Sequence, residues 1–229
     1  MELDFRKYCS IRTTIIQMLY DRSLQDAERF HFERGSLLIH EQIPLEIIQS
    51  MYDDAESKGN LSYLNMELTN HKQRVVVVFV DNRKSANMDK LRGQYQLLKT
   101  DTLIAVVVST NRLDLSQYET YNPMDEIFWY KQLTFNVSKH NLVPKHELLH
   151  PDEHRRIKSD YLLNSTNQLP TILHTDPVAK YYGMYPGDIC RITRHNENVG
   201  TSIFYRQVAP VGYNNAGTDI MDTAANMDE

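Results

Sequence analysis

The run Val75–Val80, with the sequence VVVVFV, decides the fold class of this chain. Continuous apolar and β-branched residues are typical of a strand that is covered on both faces of a sheet. A second run of this kind, Leu103–Val108 (LIAVVV), follows after about twenty residues, which is long enough for a crossover connection. Apolar residues at helical spacing over 88–98 predict a helix between the two runs. We therefore predict a parallel βαβ unit and an α/β fold.

Other predicted elements lie on both sides of this unit. Apolar residues at mostly helical spacing over 5–19 predict an amphipathic N-terminal helix, and 44–55 predict a second helix with a proline in its first turn. Alternating apolar and polar residues over 64–69 predict a half-buried strand. The stretch 125–137, which contains the only tryptophan, predicts a short helix or strand. Residues 1–138 are thus expected to form one α/β domain that begins with a helix.

A second, smaller α/β domain is predicted over residues 139–208, where the elements are shorter and turns are more frequent. A helix is predicted over 152–163. Asp176 is a favourable N-cap followed by a proline, and Gly183 stands where a helix commonly stops, so a short helix is predicted between them. We expect this domain to fold separately from the first.

A β-hairpin and an acidic tail complete the chain. The stretches 189–194 and 202–208 alternate in polarity and predict a hairpin whose loop has about six residues. Residues 209–229 are rich in Asn, Ala, Gly and Asp and are expected to be disordered. They contain four acidic and no basic residues, so that of the net charge of −5 only −1 belongs to residues 1–208.

Composition excludes several classes of protein. The pI near 6.0 argues against a domain that binds nucleic acid through bulk positive charge, since such domains usually have a pI above about 9. Two cysteines, Cys9 and Cys190, are too few for a disulfide framework or a four-cysteine zinc site. The start, Met1–Lys7, lacks the apolar region of a secretory signal, and no apolar run approaches the length of a membrane span. We expect an intracellular soluble protein without membrane contact.

The sequence lacks the common motifs of catalysis. It has no glycine-rich phosphate loop, no nucleophile elbow and no H-E-x-x-H zinc motif. His146, His150 and His154 have the spacing of one helical face, but Pro151 interrupts such a helix, so neither a metal site nor a cofactor is predicted. The one acidic-x-lysine motif, Glu56–Lys58, falls at the end of a predicted helix and not on a strand, where a metal-dependent nuclease would need it. A nuclease-like DNA-binding protein remains an alternative.

The second predicted domain carries a series of motifs that resembles one family, the fifth-largest subunit shared by eukaryotic nuclear RNA polymerases. The C-terminal half of that family is similar to a small subunit of archaeal RNA polymerase. The motifs that carry the resemblance are His140-Asn-Leu-Val-Pro144-Lys-His146, Leu169-Pro170-x-Ile172, Asp176-Pro-Val-Ala-Lys-Tyr-Tyr-Gly183, Gly187-Asp188, Ile192-x-Arg194 and Tyr205-Arg206-x-Val208. A weaker similarity extends over the first helix through Arg12-Thr13-Thr14 and Met18-Leu19-x-Asp21-Arg22.

The resemblance implies a non-catalytic subunit of a DNA-directed RNA polymerase. It implies an N-terminal jaw domain with a nuclease-like mixed sheet, near downstream duplex DNA, and a C-terminal assembly domain that docks on the largest subunit. It also implies nuclear localisation, contacts with other polymerase subunits and no homo-oligomer. The residues expected to contact the largest subunit are His140, Pro144, His146, Pro170, Asp176, Pro177, Val178, Tyr181, Gly183, Arg194, Glu197, Gly200, Tyr205 and Arg206. Those expected near DNA phosphates are Arg12, Arg83, Lys84 and Arg112.

The chain departs from the family pattern at two loops. In the hairpin, His195 and Asn196 replace the Pro-Ser that the family usually has, and the family's Thr-Pro-Ser-Ala motif is not present at Ser109–Arg112. These departures favour a distant lineage, a paralogue specific to one polymerase or a viral subunit, for which a virion or cytoplasmic location is the alternative. A docking adaptor that acts outside polymerase is a third hypothesis.

Overall fold

The structure, a computed structural model of the chain, describes residues 3–30, 37, 40–69, 73–81, 87–109, 125–196 and 200–210. Its helices and strands have the following bounds: α1 Phe5–Gln25, α2 Leu45–Lys58, β1 Met66–Thr69, β2 Arg74–Val80, α3 Met88–Tyr95, β3 Thr102–Val107, β4 Asp125–Trp129, β5 Lys145–Leu148, α4 Pro151–Asp160, β6 Thr171–Leu173, α5 Pro177–Tyr181, β7 Ile189–Asn196 and β8 Gly200–Ala209. Short 3-10 helices lie at Leu61–Leu64, Tyr130–Leu133, Val137–Lys139 and Thr166–Gln168.

The first sheet has the strand order β1-β2-β3-β4 and contains the predicted crossover. β1 is antiparallel to β2, whereas β2, β3 and β4 are parallel, with Val75 opposite Thr102. Every residue of Val75–Val80 is buried, and so is all of β3, because helices cover both faces. α1 and α2 pack on the face that carries Val77, and α3 packs on the opposite face. The predicted α/β fold and its βαβ unit are confirmed.

Left-handed residues end two helices of this half. Gly59, with φ +59°, terminates α2, as expected of a glycine that follows a helix. α3 ends at Tyr95 because the next residue, Gln96, also adopts a left-handed conformation. Leu98 lies beyond this end and is 68 % exposed. The helix predicted over 88–98 is therefore too long at its C-terminal end.

The stretch predicted as a short helix or strand contains both. β4 joins the sheet as a parallel strand beside β3, and the indole Nε1 of Trp129 donates a 2.8 Å hydrogen bond to the carbonyl of Ser109. A 3-10 helix follows directly, and its buried Tyr130 and Leu133 belong to the same core as α1. The two element types meet at Trp129, which is why periodicity alone could not separate them.

The second sheet has the strand order β5-β7-β8-β6 and is covered by one helix on each face. Ile157 of α4 packs with Ile189 on one side, and Ala179 of α5 packs with Cys190 on the other. The hairpin strands pair as far as Asn196 and Gly200, so the loop between them is shorter than predicted.

The predicted second-domain helix over 152–163 is also too long. It ends at Asp160, and Leu162 lies just beyond it with φ +53° and 89 % of its surface exposed.

The two sheets divide the chain in sequence, but a helix of the second half packs into the core of the first. All strands of the first sheet precede residue 138 and all strands of the second follow it. Tyr181 of α5 nevertheless lies in the core cluster that contains most of α1. Separate folding of the two parts stays a prediction. Of the predicted tail, Ala209 is the last residue of β8, and residues 211–229 lie outside the described residues.

Among the helices of the described ranges, none has both the length and the apolar character needed to cross a membrane.

Candidate functional site

The segment Asp176–Gly183 contains the short helix α5, the residue that caps it and the glycine that follows it. The Asp176 carboxylate caps α5 by accepting hydrogen bonds from the backbone N–H groups of Val178 (2.8 Å) and Ala179 (3.4 Å). Gly183 follows the helix with φ +61°. A Cβ at this position would lie 2.7 Å from Cζ of Phe30. Gly183 is therefore required both for its backbone conformation and for the close approach of the segment after α1.

Arg22, near the end of α1, joins this segment to the first sheet. Its side chain is fully buried, and its guanidinium makes two hydrogen bonds, of 2.6 and 2.8 Å, to the Glu126 carboxylate of β4. Nε donates to the carbonyl of Tyr181 at 2.8 Å, and Nη2 donates to the carbonyl of Lys180 at 2.6 Å. A buried guanidinium needs its donors satisfied and its charge paired, and this arrangement does both.

Lys180 and Tyr181 of α5 contact β4 and α1 through their side chains. The Lys180 ammonium donates to the carbonyl of Ile127 and lies 4.2 Å from the centre of the Phe128 ring. Burial lowers the pKa of Lys180 to about 8. The Tyr181 hydroxyl donates to the Asp21 carboxylate at 2.6 Å, and its pKa is raised by burial and by that negative charge. We call the contacts of Arg22, Glu126, Lys180 and Tyr181 the buried junction.

The C-terminal end of α1 also covers one edge of the second sheet. The Gln25 side-chain amide accepts from the N–H of Leu148 at 2.6 Å and donates to the carbonyl of His146 at 3.2 Å. These backbone groups belong to the side of β5 that faces away from β7. Beyond α1, Arg29 makes two hydrogen bonds to the Asp188 carboxylate, of 2.8 and 3.1 Å. α1 thus holds the second sheet at its edge as well as through the buried junction.

Comparison with known proteins identifies relatives of the second half of the chain, which includes the segment Asp176–Gly183. A family described as RNA polymerase Rpb5, C-terminal domain, matches residues 135–208. DNA-directed RNA polymerase subunit Rpo5 of Archaeoglobus fulgidus is 43 % identical over 76 residues, which cover 33 % of this chain and 99 % of the archaeal protein. The chain belongs to the Rpb5 family. DNA-directed RNA polymerases I, II, and III subunit RPABC1 of Caenorhabditis elegans is 26 % identical over 219 residues, 90 % of this chain and 98 % of the nematode protein. The predicted resemblance is confirmed.

The fourteen Rpb5-like residues expected to contact the largest subunit separate into two groups by burial. Four are buried within the chain: His146, Val178, Tyr181 and Gly183. Nine are exposed or half-buried: His140, Pro144, Pro170, Asp176, Pro177, Arg194, Gly200, Tyr205 and Arg206. Glu197 lies outside the described residues. The buried group packs within the module, so only the second group presents appreciable surface to the solvent.

His146 illustrates the buried group. Its ring Nδ1 lies 2.7 Å from the carbonyl of Pro144, and burial lowers its pKa. A buried imidazole held against a backbone carbonyl leaves little surface for contact with another chain. His146 also lies on β5, whereas His150 caps α4 and His154 lies within it, so the three histidines do not share a helix.

The residues expected near DNA receive limited support from the structure. Arg12 is 4 % exposed and donates from Nη2 to the carbonyl of His40 at 3.3 Å, so its guanidinium is not available to a phosphate on the surface. Arg83, Lys84 and Arg112 lie outside the described residues. The structure does describe the strands that precede these residues. Val80 and Val107 are paired, so β2 and β3 end at the same end of the first sheet.

The acidic-x-lysine motif of the nuclease alternative occupies the end of α2. Lys58 forms an ion pair with Asp54 at 3.4 Å, and its ammonium lies 4.4 Å from the centre of the Tyr63 ring. The motif therefore belongs to a helix, as the sequence predicted. Within the part of the chain that the structure describes, no group of three or more His, Cys, Asp or Glu side chains is placed to hold a metal ion.

Sequence reasoning did not assign a role to Arg22, Glu126 or Gln25. A signal was present for Arg22, because it lies one helical turn after Met18 and Leu19, on the apolar face of α1. A charged residue in such a stripe predicts a buried ion pair. Nothing in the sequence pattern identifies Glu126 as its partner, since the two are joined only by the fold.

Proposed function

We propose that this chain is a non-catalytic subunit of a multisubunit DNA-directed RNA polymerase. Two observations carry the proposal together: 76 residues of the chain align with 99 % of an archaeal polymerase subunit, and the Rpb5 C-terminal domain matches residues 135–208. The archaeal protein consists of little else, so this module is sufficient for the role of a polymerase subunit there. The eukaryotic relatives, which are subunits of polymerases I, II and III, support a nuclear location for this chain.

The second module, residues 139–208, is proposed to dock on the largest polymerase subunit. The residues of the predicted set that are not buried carry this proposal, in particular the exposed Arg194 and the half-buried Tyr205 of the hairpin and the exposed Pro177 at the start of α5. Arg194 lies 5.4 Å from the Phe204 ring, so a cation and an apolar ring are presented side by side. Mixed surfaces of this kind, with Arg and aromatic residues, are enriched at protein interfaces.

The first module, residues 1–138, is proposed to lie near downstream duplex DNA. The support is topological. β2 and β3 are parallel neighbours, so the chain leaves both strands, after Val80 and Val107, at the same end of the sheet. Arg83 and Lys84 lie in the first of these segments and Arg112 in the second. We propose that these basic residues contact phosphates without reading the base sequence.

Affinity purification tests the docking proposal. A tagged chain should co-purify with the two large polymerase subunits from native extract, and Arg194→Glu should lower the recovery of the large subunits about 10-fold. Arg156→Glu is the matched control. The Arg156 side chain lies on α4 and is 83 % exposed, so this variant should leave the recovery of the large subunits unchanged. Recovery of the chain as a lone monomer would overturn the proposal, and recovery with other partners only would favour the adaptor hypothesis.

A further inference from the structure

The hairpin strand β8 has one edge that is only partly paired. β7 pairs with β8 along its whole length, from Asn196–Gly200 to Ile189–Gln207. On the other side, β6 pairs only with Gln207–Ala209. Among the described strands, none pairs with the remainder of this edge, Thr201–Tyr205.

The hydrogen bonds at the inner end of β8 show which backbone groups face outwards. Val208 donates its N–H to the carbonyl of Asp188, on the β7 side, whereas Gln207 donates to the carbonyl of Pro170, on the β6 side. Antiparallel pairing alternates, so even-numbered residues bond to β7 and odd-numbered residues face away from it. The N–H and C=O groups of Thr201, Ile203 and Tyr205 therefore point to the open edge.

Pro170 explains why β6 stops where it does. A parallel ladder that continued towards the hairpin tip would need the N–H of residue 170 to bond to the carbonyl of Tyr205. Proline has no N–H, so the ladder ends at Thr171 and the edge beyond it stays open. The Pro170 side chain itself is exposed.

Apolar side chains lie on one side of this edge. Ile203 is 51 % exposed, and the Tyr205 ring packs edge-on against Tyr161 with 5.6 Å between ring centres. Tyr161 and Leu162 are themselves 55 % and 89 % exposed. The other face of the hairpin carries Phe204, Arg206 and Arg194. Natural edge strands are commonly protected by lysine or proline, and Thr201–Tyr205 contains neither.

We propose that the open edge Thr201–Tyr205 binds an extended segment of another polymerase subunit as an added β-strand. Backbone hydrogen bonds to the odd-numbered residues would give affinity, and alternating side chains would give specificity. The segment should present apolar residues to Ile203, Tyr205 and Tyr161, and an acidic residue to Arg206 on the opposite face. This inference rests on the proposed function, because it names how the docking module meets its partner.

Amide hydrogen–deuterium exchange, resolved by residue, tests this directly. The N–H groups of Thr201, Ile203 and Tyr205 should exchange rapidly in the free full-length chain and about 100-fold more slowly in purified polymerase that contains it. Those of Ser202 and Phe204, which bond to β7, are internal controls and should be protected in both states. Rapid exchange of the odd-numbered amides in intact polymerase would overturn the inference while leaving the proposed subunit role in place.

A pair of variants at one position separates the backbone from the side chain. Ile203→Pro removes an outward N–H and no ladder bond to β7, so it should lower recovery of the large subunits about 10-fold. Ile203→Ala shortens the side chain but keeps the N–H, and should lower recovery by less than about 3-fold. Equal recovery of the two variants would contradict strand addition. If Ile203→Pro unfolds the free chain, the exchange measurement on the unmodified protein decides.

Two other occupants of the edge would overturn the proposal and are distinguishable. Protection that is already present in the free chain, and lost when residues 211–229 are removed, would assign the edge to the chain's own acidic tail. Protection that rises with the concentration of the free chain would assign it to a second copy.

Discussion

Glu126→Ala removes the carboxylate that faces the buried guanidinium of Arg22. Arg22 has no exposed side-chain surface and Glu126 has 12 %, so water cannot replace the lost partner. Removing one member of a buried ion pair usually costs about 3–5 kcal/mol of the free energy of unfolding. Arg22 would keep its hydrogen bonds to the carbonyls of Tyr181 and Lys180, which places the expected loss near the lower limit, about 3 kcal/mol.

An exposed pair in the same module is the matched control. Arg74 and Glu67 are joined at 2.6 Å, but 29 % and 51 % of their side-chain surfaces are exposed. Glu67→Ala should therefore cost no more than about 1 kcal/mol. Urea unfolding followed by circular dichroism measures both variants, and the denaturant slope should be unchanged if only stability has changed.

Glu126→Ala should lower the free energy of unfolding clearly more than Glu67→Ala does. Equal losses of free energy, or a loss below about 1 kcal/mol for Glu126→Ala, would refute the view that the buried junction holds the two modules together. Should Glu126→Ala fail to fold, Glu126→Gln retains one acceptor oxygen and is expected to lose about half as much.

Three further predictions concern single positions. Gly183→Ala should lower the melting temperature more than Gly59→Ala, because both glycines have φ near +60° but only Gly183 has Phe30 within 2.7 Å of the added Cβ; similar shifts would contradict this contact. Gln25→Ala should speed amide exchange at Leu148, whose N–H loses its acceptor, whereas exchange at Leu149, bonded to Ile189, should not change. At pH 8 a thiol reagent should label Cys9 before Cys190, because Cys190 is fully buried and burial raises its pKa to about 12; Cys9→Ser should then abolish the fast phase.

The sequence predicted the parts of the fold that are encoded locally. The crossover followed from two buried β-branched runs, and α5 followed from a capping aspartate, a proline and a terminal glycine. Helix ends were less predictable. Gln96 and Leu162 adopt left-handed conformations without being glycine, and hydrophobic periodicity gives no sign of such a stop.

Long-range contacts were beyond sequence reasoning for a different reason. Arg22, Glu126 and Lys180 lie in three elements that are distant in the chain, so only the packed fold shows that they meet. The motif series predicted the family correctly, but it did not separate residues that are buried in the module from residues that lie at its surface. Tyr181 and His146 belong to the same series of motifs as Arg194 and Pro170, and only their burial in the fold distinguishes them.

The contact of Gln25 with β5 makes the two outer edges of the second sheet different. This difference affects how many strands could be added to the sheet. A sheet with open edges on both sides can be extended in two directions, and identical units could then link into an open-ended ribbon. Here the side chain of Gln25 already occupies the outer backbone groups of β5, and the outer edge of β6 offers only three residues. Among the described strands, the edge of β8 is therefore the longest one that could accept a further strand. If the proposed strand addition is correct, a unit that can be extended at one place would accept a single added strand, which predicts one copy of this chain for each partner segment.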